Sequence, residues 1–323
     1  MAVLTRRALV MTATAAAAAA SAPALGETYP SKLIKLVVPY TAGSPNDVVA
    51  RMLAQNLQPR LGQPIIIDNK PGGGTIIGTK AAAAAEPDGY TLMFISSALV
   101  IDPAMRGVEY DPLKEFAPVA SVVTTYLLLT ATPTLPVKTL AELIAYTKAN
   151  PGTVNLAATQ GSVATLVAEK FKRESGANIQ IIPYKGGAAA LPDFLAGRVQ
   201  MMVPTPATSI ELIRAGKARG LAISSETRIR ELPDVPTMRE VGLPALTMDF
   251  WAGVLAPAGT PPMIVNRLNE AINQTLQSAE MKESMGRLSL DPKIGSPQEF
   301  AAFIKEEIPR WNAIAKSAGV RIE

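Results

Sequence analysis

Apolar residues along this chain fall into short continuous blocks, each followed by a Gly-, Pro- or Ser-bearing loop and then by a segment whose apolar positions recur every three to four residues. The block from Lys32 to Pro39 reads as a strand that ends at a proline. After it, Val48, Val49, Met52, Leu53 and Leu57 form one stripe of a helix over about Pro45–Leu57. Ile65–Ile67 is a short buried strand, Thr75–Ala85 a helix entered after three glycines, and Thr91–Ile95 the next strand. Strands that are apolar without alternation are buried on both faces. Alternating with helices, they predict a largely parallel sheet covered on both sides.

The rhythm breaks between Asp111 and Pro136, where Pro112, Pro118, Pro133 and Pro136 bracket an apolar strand at Tyr126–Thr130. This stretch reads as a crossing into a second lobe. That lobe alternates helices at Leu140–Ala149, Ser162–Glu174, Ala188–Ala196 and up to Ala215 with strands at Asn155–Ala158, Ile179–Pro183, Val199–Val203 and Ala218–Ile223. Arg228–Pro244 has the prolines and lost periodicity of a return linker. A strand at Phe250–Leu255 and helices at Pro261 to about Leu276 and within Pro297–Lys316 complete the chain. The final segment is too small for a third domain, so it is expected to pack back on the first lobe and leave a cleft. The predicted architecture is a two-lobed α/β fold with lobes at 25–125 plus 245–323 and at 126–244; a single continuous α/β domain is the competing arrangement.

Ahead of the first strand, Arg6 and Arg7 precede an uncharged, alanine-rich run from Ala8 to Ala22, and Ala22-Pro23-Ala24 supplies a small-x-small cleavage site. This is the outline of a signal peptide over residues 1–24, too short and too weakly apolar for a convincing membrane span. A disordered alanine-rich tail is the alternative. The paired arginines leave both general and twin-arginine export open. An exported chain of this kind is expected outside the cytoplasmic membrane.

Composition then narrows the chemistry. The chain has no Cys and no His, which removes the usual zinc ligands, the thiol nucleophile and the imidazole base, so no cofactor or metal is expected. The formal charge is +4 including Arg6 and Arg7, and the body after them is only mildly positive. Scattered basic residues with few aromatics argue against nucleic acid as a partner.

Three strand-to-helix loops are candidates for a ligand. In Thr41-Ala42-Gly43-Ser44-Pro45-Asn46-Asp47, Ser44 can cap, Pro45 suits the first helical position and Asp47 the third, completing a capping box. Backbone N–H groups at such a terminus also attract anions. Pro71-Gly72-Gly73-Gly74-Thr75-Ile76-Ile77-Gly78 resembles a phosphate loop but lacks its Gly-Lys-Ser/Thr ending; its glycines can equally face a neighbouring element. Thr159-Gln160-Gly161-Ser162 enters the helix bearing Val163, Leu166, Val167 and Phe171, with Ser162 either a plain cap or a ligand contact. It is topologically equivalent to the 41–47 loop, and two such termini facing across a cleft would clamp an anion.

An ordered series of segments also resembles a known family. These are Val38–Asp47 with Ala50-Arg51, Asp68–Gly74, Pro87–Leu92, Pro183–Gly186, Leu232–Thr237 and Trp251–Pro261. Together, over some 290 residues, they are similar to the extracytoplasmic solute receptors of the tripartite tricarboxylate transporter system, the Bug or TctC family. The resemblance implies a monomeric Venus-flytrap receptor of the periplasm that closes on a small organic acid and presents it to membrane permease subunits. It implies ligand contacts from Tyr40, Thr41, Ala42, Gly43 and Asp47 on one side and Thr159, Gly161, Ser162 and Val163 on the other. Ser96, Ser97, Thr205 and Thr208 would set specificity, and Tyr40 would either stack on the ligand or pack. The chain departs from many members in carrying Pro204 and Thr205 in place of an Asp or Asn pair, and in having no histidine near Val163–Thr165. Both departures point away from citrate, toward a monocarboxylate, a lean dicarboxylate or an aromatic acid. A carboxylate sensor with a signalling partner is the nearest alternative. An exported enzyme is disfavoured because Thr159–Ser162 lacks the Gly-x-Ser-x-Gly elbow.

Overall fold

A computed structural model of the chain describes residues 29–106, 108, 110–159, 163–184, 187–288 and 290–318. The signal-peptide reading of residues 1–24 therefore lies outside the described residues. In chain order the elements are β1 (Ile34–Val38), α1 (Pro45–Leu61), β2 (Ile65–Asn69), α2 (Ile76–Ala83), β3 (Thr91–Ser96), α3 (Ala98–Arg106), β4 (Phe116–Thr125), β5 (Leu128–Ala131), α4 (Leu140–Ala149), β6 (Val154–Thr159), α5 (Val163–Ser175), β7 (Ile179–Tyr184), α6 (Gly187–Leu195), β8 (Met201–Met202), α7 (Pro206–Arg214), β9 (Arg219–Ile223), β10 (Phe250–Pro257), α8 (Pro262–Gln277), α9 (Ala279–Arg287), β11 (Asp291–Pro292) and α10 (Pro297–Ala318). A single helical turn, Pro112–Glu115, precedes β4.

The strands form two sheets, ordered β11-β4-β10-β3-β1-β2 and β7-β6-β8-β5-β9. Apart from β11, the two orders are the same. In each sheet a strand donated from elsewhere in the chain runs against both neighbours, β10 against β3 and β4 and β5 against β8 and β9, and β11 is antiparallel to β4 as well. Each reversed strand is donated from across a lobe crossing, so the fold is two-lobed with mixed sheets. In β1 the apolar residues divide between two cores and only Lys35 is exposed. Ile34, Leu36 and Val38 enter a core shared with α1 and α8, whereas Val37 enters the core on the opposite face.

That opposite core runs without interruption from the first sheet into the second, through Met93, Leu129, Leu156, Phe171 and Trp311. The C-terminal helix α10 belongs to both: it packs on α3 and β4 and also on α5 of the second lobe. The helix thus braces the junction between the two sheets. The two crossings, at Tyr126–Leu127 and after β9, meet at Ser224. Its hydroxyl donates to Met248 O at 2.7 Å and accepts from Leu127 N at 3.0 Å, and its own N–H donates to Leu127 O at 2.9 Å.

β4, α3 and α9 are among the elements that the sequence pattern does not predict. β4 contains Pro118, which reads as a breaker, but the register with β10 shifts between Val254 and Leu255, next to Pro118. On the other side β11 pairs only with Val123 and Thr124. A missing N–H is tolerated at such a bulged edge. α3 fell in a stretch too short and too apolar to separate from its strand. α9 carries a signal that could have been used: Ser278 caps it by accepting from Met281 N at 3.2 Å, and Met281 and Met285 make a one-turn apolar repeat.

Candidate functional site

The loop between β1 and α1 is built from behind. Ser44 caps α1 as expected, accepting from Asp47 N at 3.3 Å. The reciprocal half of the capping box is displaced by one residue: Asp47 Oδ2 accepts from Gly43 N at 2.8 Å, while Ser44 N donates to Thr41 O. Gly43 has φ +79, a conformation that suits glycine. Asp47 Oδ2 also accepts from Arg51 Nε at 2.8 Å, and Oδ1 from Asn69 Nδ2 at 2.8 Å. Burial alone would raise this carboxyl, but hydrogen bonds from Arg51, Asn69 and Gly43 outweigh it and hold it below the usual aspartate range. Asp47 is 1% exposed. It shapes the loop and presents no open carboxylate to a ligand.

Asn69 is a site-supporting residue that sequence reasoning missed. Its amide bonds both Asp47 and Tyr40 O, at 3.1 Å, and its carbonyl accepts from Arg51. The Asp68-Asn69-Lys70 segment was noted only as part of the resemblance, and nothing local in it announces this contact. Thr41, Ala42 and Gly43 are exposed. Among the described residues, the amides of Thr41 and Ala42 have no protein acceptor.

Tyr40 packs: its ring lies against both cores. Its hydroxyl meets the end of β3, 2.6 Å from Ser96 Oγ and accepting from Ser96 N at 3.2 Å. Ser97 is buried and opens α3, its carbonyl accepting from the amides of Val100 and Ile101. The glycine loop serves packing. A Cβ on Gly78 would lie 2.6 Å from Pro39 Cβ and 2.7 Å from Lys70 O, and one on Gly74 would meet the Arg106 guanidinium at 2.9 Å. The loop is anchored by Asp102, which accepts from Thr75 Oγ1 at 2.7 Å and from Arg106 Nε at 3.2 Å.

In the second lobe β6 and β8 are parallel neighbours, which brings Thr159 and Thr205 to the same end of that sheet. Gly161 and Ser162 lie outside the described residues. Val163 begins α5 and is half-buried. Thr165 turns back to donate to Thr159 O at 2.7 Å. Thr205 precedes α7 and its hydroxyl is 3.1 Å from that of Thr208.

Two open crevices, of about 420 and 370 Å³, run between α7 with the 227–231 segment and α9 with β11. They approach the candidate loops only at Pro206 and Ala207. Their arginines are matched by acids: Arg214 with Glu211, Arg228 with Glu240, Arg230 with Glu231 and Arg287 with Glu283. An anion gains little from such walls, so the loops are the stronger candidate. Among the described residues no cluster of acidic side chains could hold a metal ion.

Comparison with known proteins places this geometry among relatives. Residues 49–320 match the family model described as tripartite tricarboxylate transporter family receptor. Protein BugT of Bordetella pertussis is 39% identical over 307 residues, covering 94% of each chain. Among solved structures, the periplasmic binding protein BugD is 32% identical with a TM-score of 0.78, covering 91% of this chain and all of its own. Rpa4515 of R. palustris, solved with adipate, is 33% identical with a TM-score of 0.80, over 91% of this chain and 99% of that one. MatC of Rhodopseudomonas palustris, solved with bound malate, is 31% identical with a TM-score of 0.75, over 89% and 100%.

Proposed function

The chain belongs to the tripartite tricarboxylate transporter family of receptors, and from that premise we propose that it is a non-catalytic periplasmic receptor that captures a small carboxylate between its lobes and delivers it to the membrane subunits of such a transporter. One observation carries the anion. Among the described residues the amides of Thr41 and Ala42 have no protein acceptor, while the loop's own carboxylate, Asp47, is buried and paired with Arg51. Stripping water from a carboxylate is costly unless several donors converge on it. The first-lobe loop supplies donors without a competing acceptor charge.

The lobes are assigned as residues 25–125 with 245–323, and 126–244. Ligand binding begins at Tyr40–Gly43 with Ser96 and Ser97, and Thr159, Gly161, Ser162, Val163, Thr205 and Thr208 complete the hydrogen bonds as the lobes close. Differential affinity for the closed form drives closure. With neither a histidine nor an acid or amide at positions 163–165 and 204–205, a monocarboxylate, a lean dicarboxylate or an aromatic acid fits better than citrate. The adipate and malate held by the two relatives support that choice. The receptor works as a monomer.

Natively purified protein should release an organic acid detectable by mass spectrometry, and a thermal-shift series with malate, adipate, benzoate and citrate should raise the melting temperature for at least one. At a hundredfold excess over Kd the gain is about 2.7 kcal/mol. No shift with any carboxylate, or turnover of one, would overturn this reading.

A further inference from the structure

We propose that the Tyr40 hydroxyl is a positioning group that fixes the Ser96 side chain as a hydrogen-bond donor toward the ligand, so that this point of the site takes an acceptor oxygen and favours a carboxylate, which offers one in either orientation, over an amide. The inference rests on the receptor reading above and adds to it the residue that sets the polarity of the contact.

The assignment follows from counting donors and acceptors. Burial pushes the Tyr40 phenol up to about 12 against the opposing hydrogen bonds from Ser96. The hydroxyl is therefore neutral at ordinary pH and has one proton to place. Its oxygen already accepts from Ser96 N at 3.2 Å. Among the described residues the one acceptor within reach of its proton is Ser96 Oγ at 2.6 Å. Ser96 Oγ also accepts from Ala98 N at 3.3 Å. A serine hydroxyl has two acceptor positions and one proton, so both of its acceptor positions are filled by protein and its proton is left over.

Ser96 ends β3 beside the exposed 41–43 loop and is half-buried. With its acceptor capacity used up, it can offer a ligand a proton and nothing else. A carboxylate oxygen satisfies it. A primary amide satisfies it only through its carbonyl oxygen, and with the N–H₂ turned toward the serine a donor faces a donor and one is left unpaired, so the amide loses an orientation that the carboxylate keeps. A phenylalanine at position 40 would pack as well, because the ring is held by the cores, but it would leave the serine hydroxyl free to turn and accept.

Three variants test this: Tyr40→Phe, Ser96→Ala and the double variant, each titrated calorimetrically with malate, adipate and benzoate and with the primary amides of the same acids. For whichever acid the wild type binds, Ser96→Ala should weaken affinity by about tenfold and Tyr40→Phe by about three- to tenfold. In the Ser96→Ala background, Tyr40→Phe should add almost nothing. Tyr40→Phe should also lower the acid-to-amide affinity ratio, a change that loss of packing alone would not produce. If none of the acids binds the wild type, the receptor reading fails and this inference with it. If they bind but the two losses are additive, or the acid-to-amide ratio is unchanged in Tyr40→Phe, the positioning role alone is refuted.

Discussion

Replacing Gly78 by alanine should destabilise the protein and disturb the candidate site, whereas the same change at Gly286 should stabilise it. Both glycines are helical, Gly78 in α2 and Gly286 in α9. Neither has a positive φ. Alanine in place of a helix-interior glycine is worth about 0.5–1 kcal/mol from backbone entropy and propensity. At Gly286 nothing lies within 4 Å of the added methyl, so that gain stands alone. At Gly78 the methyl would sit 2.6 Å from Pro39 Cβ, 2.7 Å from Lys70 O and 2.9 Å from Pro39 Cα. A proline ring and a backbone carbonyl cannot rotate away, so α2 and the end of β1 must separate. Overpacking of this kind costs about 1–3 kcal/mol, more than the propensity gain.

The assay is a thermal melt of both variants in parallel with the wild type. For a chain of this size about 1 kcal/mol moves the midpoint by roughly 2 °C. Gly78→Ala should melt roughly 2–4 °C below the wild type, and Gly286→Ala roughly 1–2 °C above it. Because the displaced atom belongs to Pro39, one residue before Tyr40, Gly78→Ala should also weaken carboxylate binding, and Gly286→Ala should not. A Gly78→Ala protein that melts at or above the wild-type temperature and binds normally would refute the account of the glycine loop as a packing contact behind the site.

Asp47→Asn should lower stability by about 1–3 kcal/mol at neutral pH, since charge-assisted bonds to Arg51 and Gly43 are lost from a buried group. The folded-state carboxyl is held below its unfolded value, so its contribution is complete above about pH 4 and disappears as pH falls through the folded value; melts of the two proteins should converge in strong acid. Asp249 behaves in the opposite sense. Burial raises its carboxyl, with Arg310 opposing and Glu226 adding to the shift, so stability falls as pH rises from the unfolded value through the folded one. Asp249→Asn should therefore raise the melting temperature at pH 7 and lose that advantage below about pH 4; a lower melting temperature at pH 7 would refute it. Ser224→Ala leaves Leu127 N and Met248 O without their side-chain partner at the lobe crossing and should cost about 1–3 kcal/mol by denaturant midpoint.

Much of the lobe architecture can be read from the chain because β3 and β10 are buried on both faces, which writes apolar runs into the sequence, and in β1 only the exposed Lys35 interrupts such a run. The reversed strand in each sheet was not legible. Whether Phe250–Pro257 runs with or against β3 depends on pairing across more than 150 residues, and no local pattern encodes that direction. The site divides the same way. Ser44 and the turn at Gly43 are announced by local spacing, and the Asp47–Arg51 pair is an ordinary i,i+4 contact. The bonds from Asn69 to Asp47 and from Tyr40 to Ser96 span 22 and 56 residues and exist only once the sheet has formed.

These long-range contacts decide how such a site must work. Its proposed donors are mostly backbone amides and hydroxyls, and an amide can be aimed only by ordering the loop that carries it. The ordering groups therefore lie behind the proposed binding surface: Asp47, Asn69 and Gly78 hold the first-lobe loop, and Ser224 ties the two crossings between the sheets. Removing a contact residue subtracts one hydrogen bond, whereas removing an ordering residue misplaces several donors at once. Loss of a residue that orders the whole loop, such as Asn69, should accordingly weaken binding more than loss of one contact hydroxyl, whereas Tyr40, which orders a single donor, should cost no more than that donor. One carboxylate would be told from another by side chains that can change without disturbing that frame, Thr205 and Thr208, whose hydroxyls bond each other at the entry to α7.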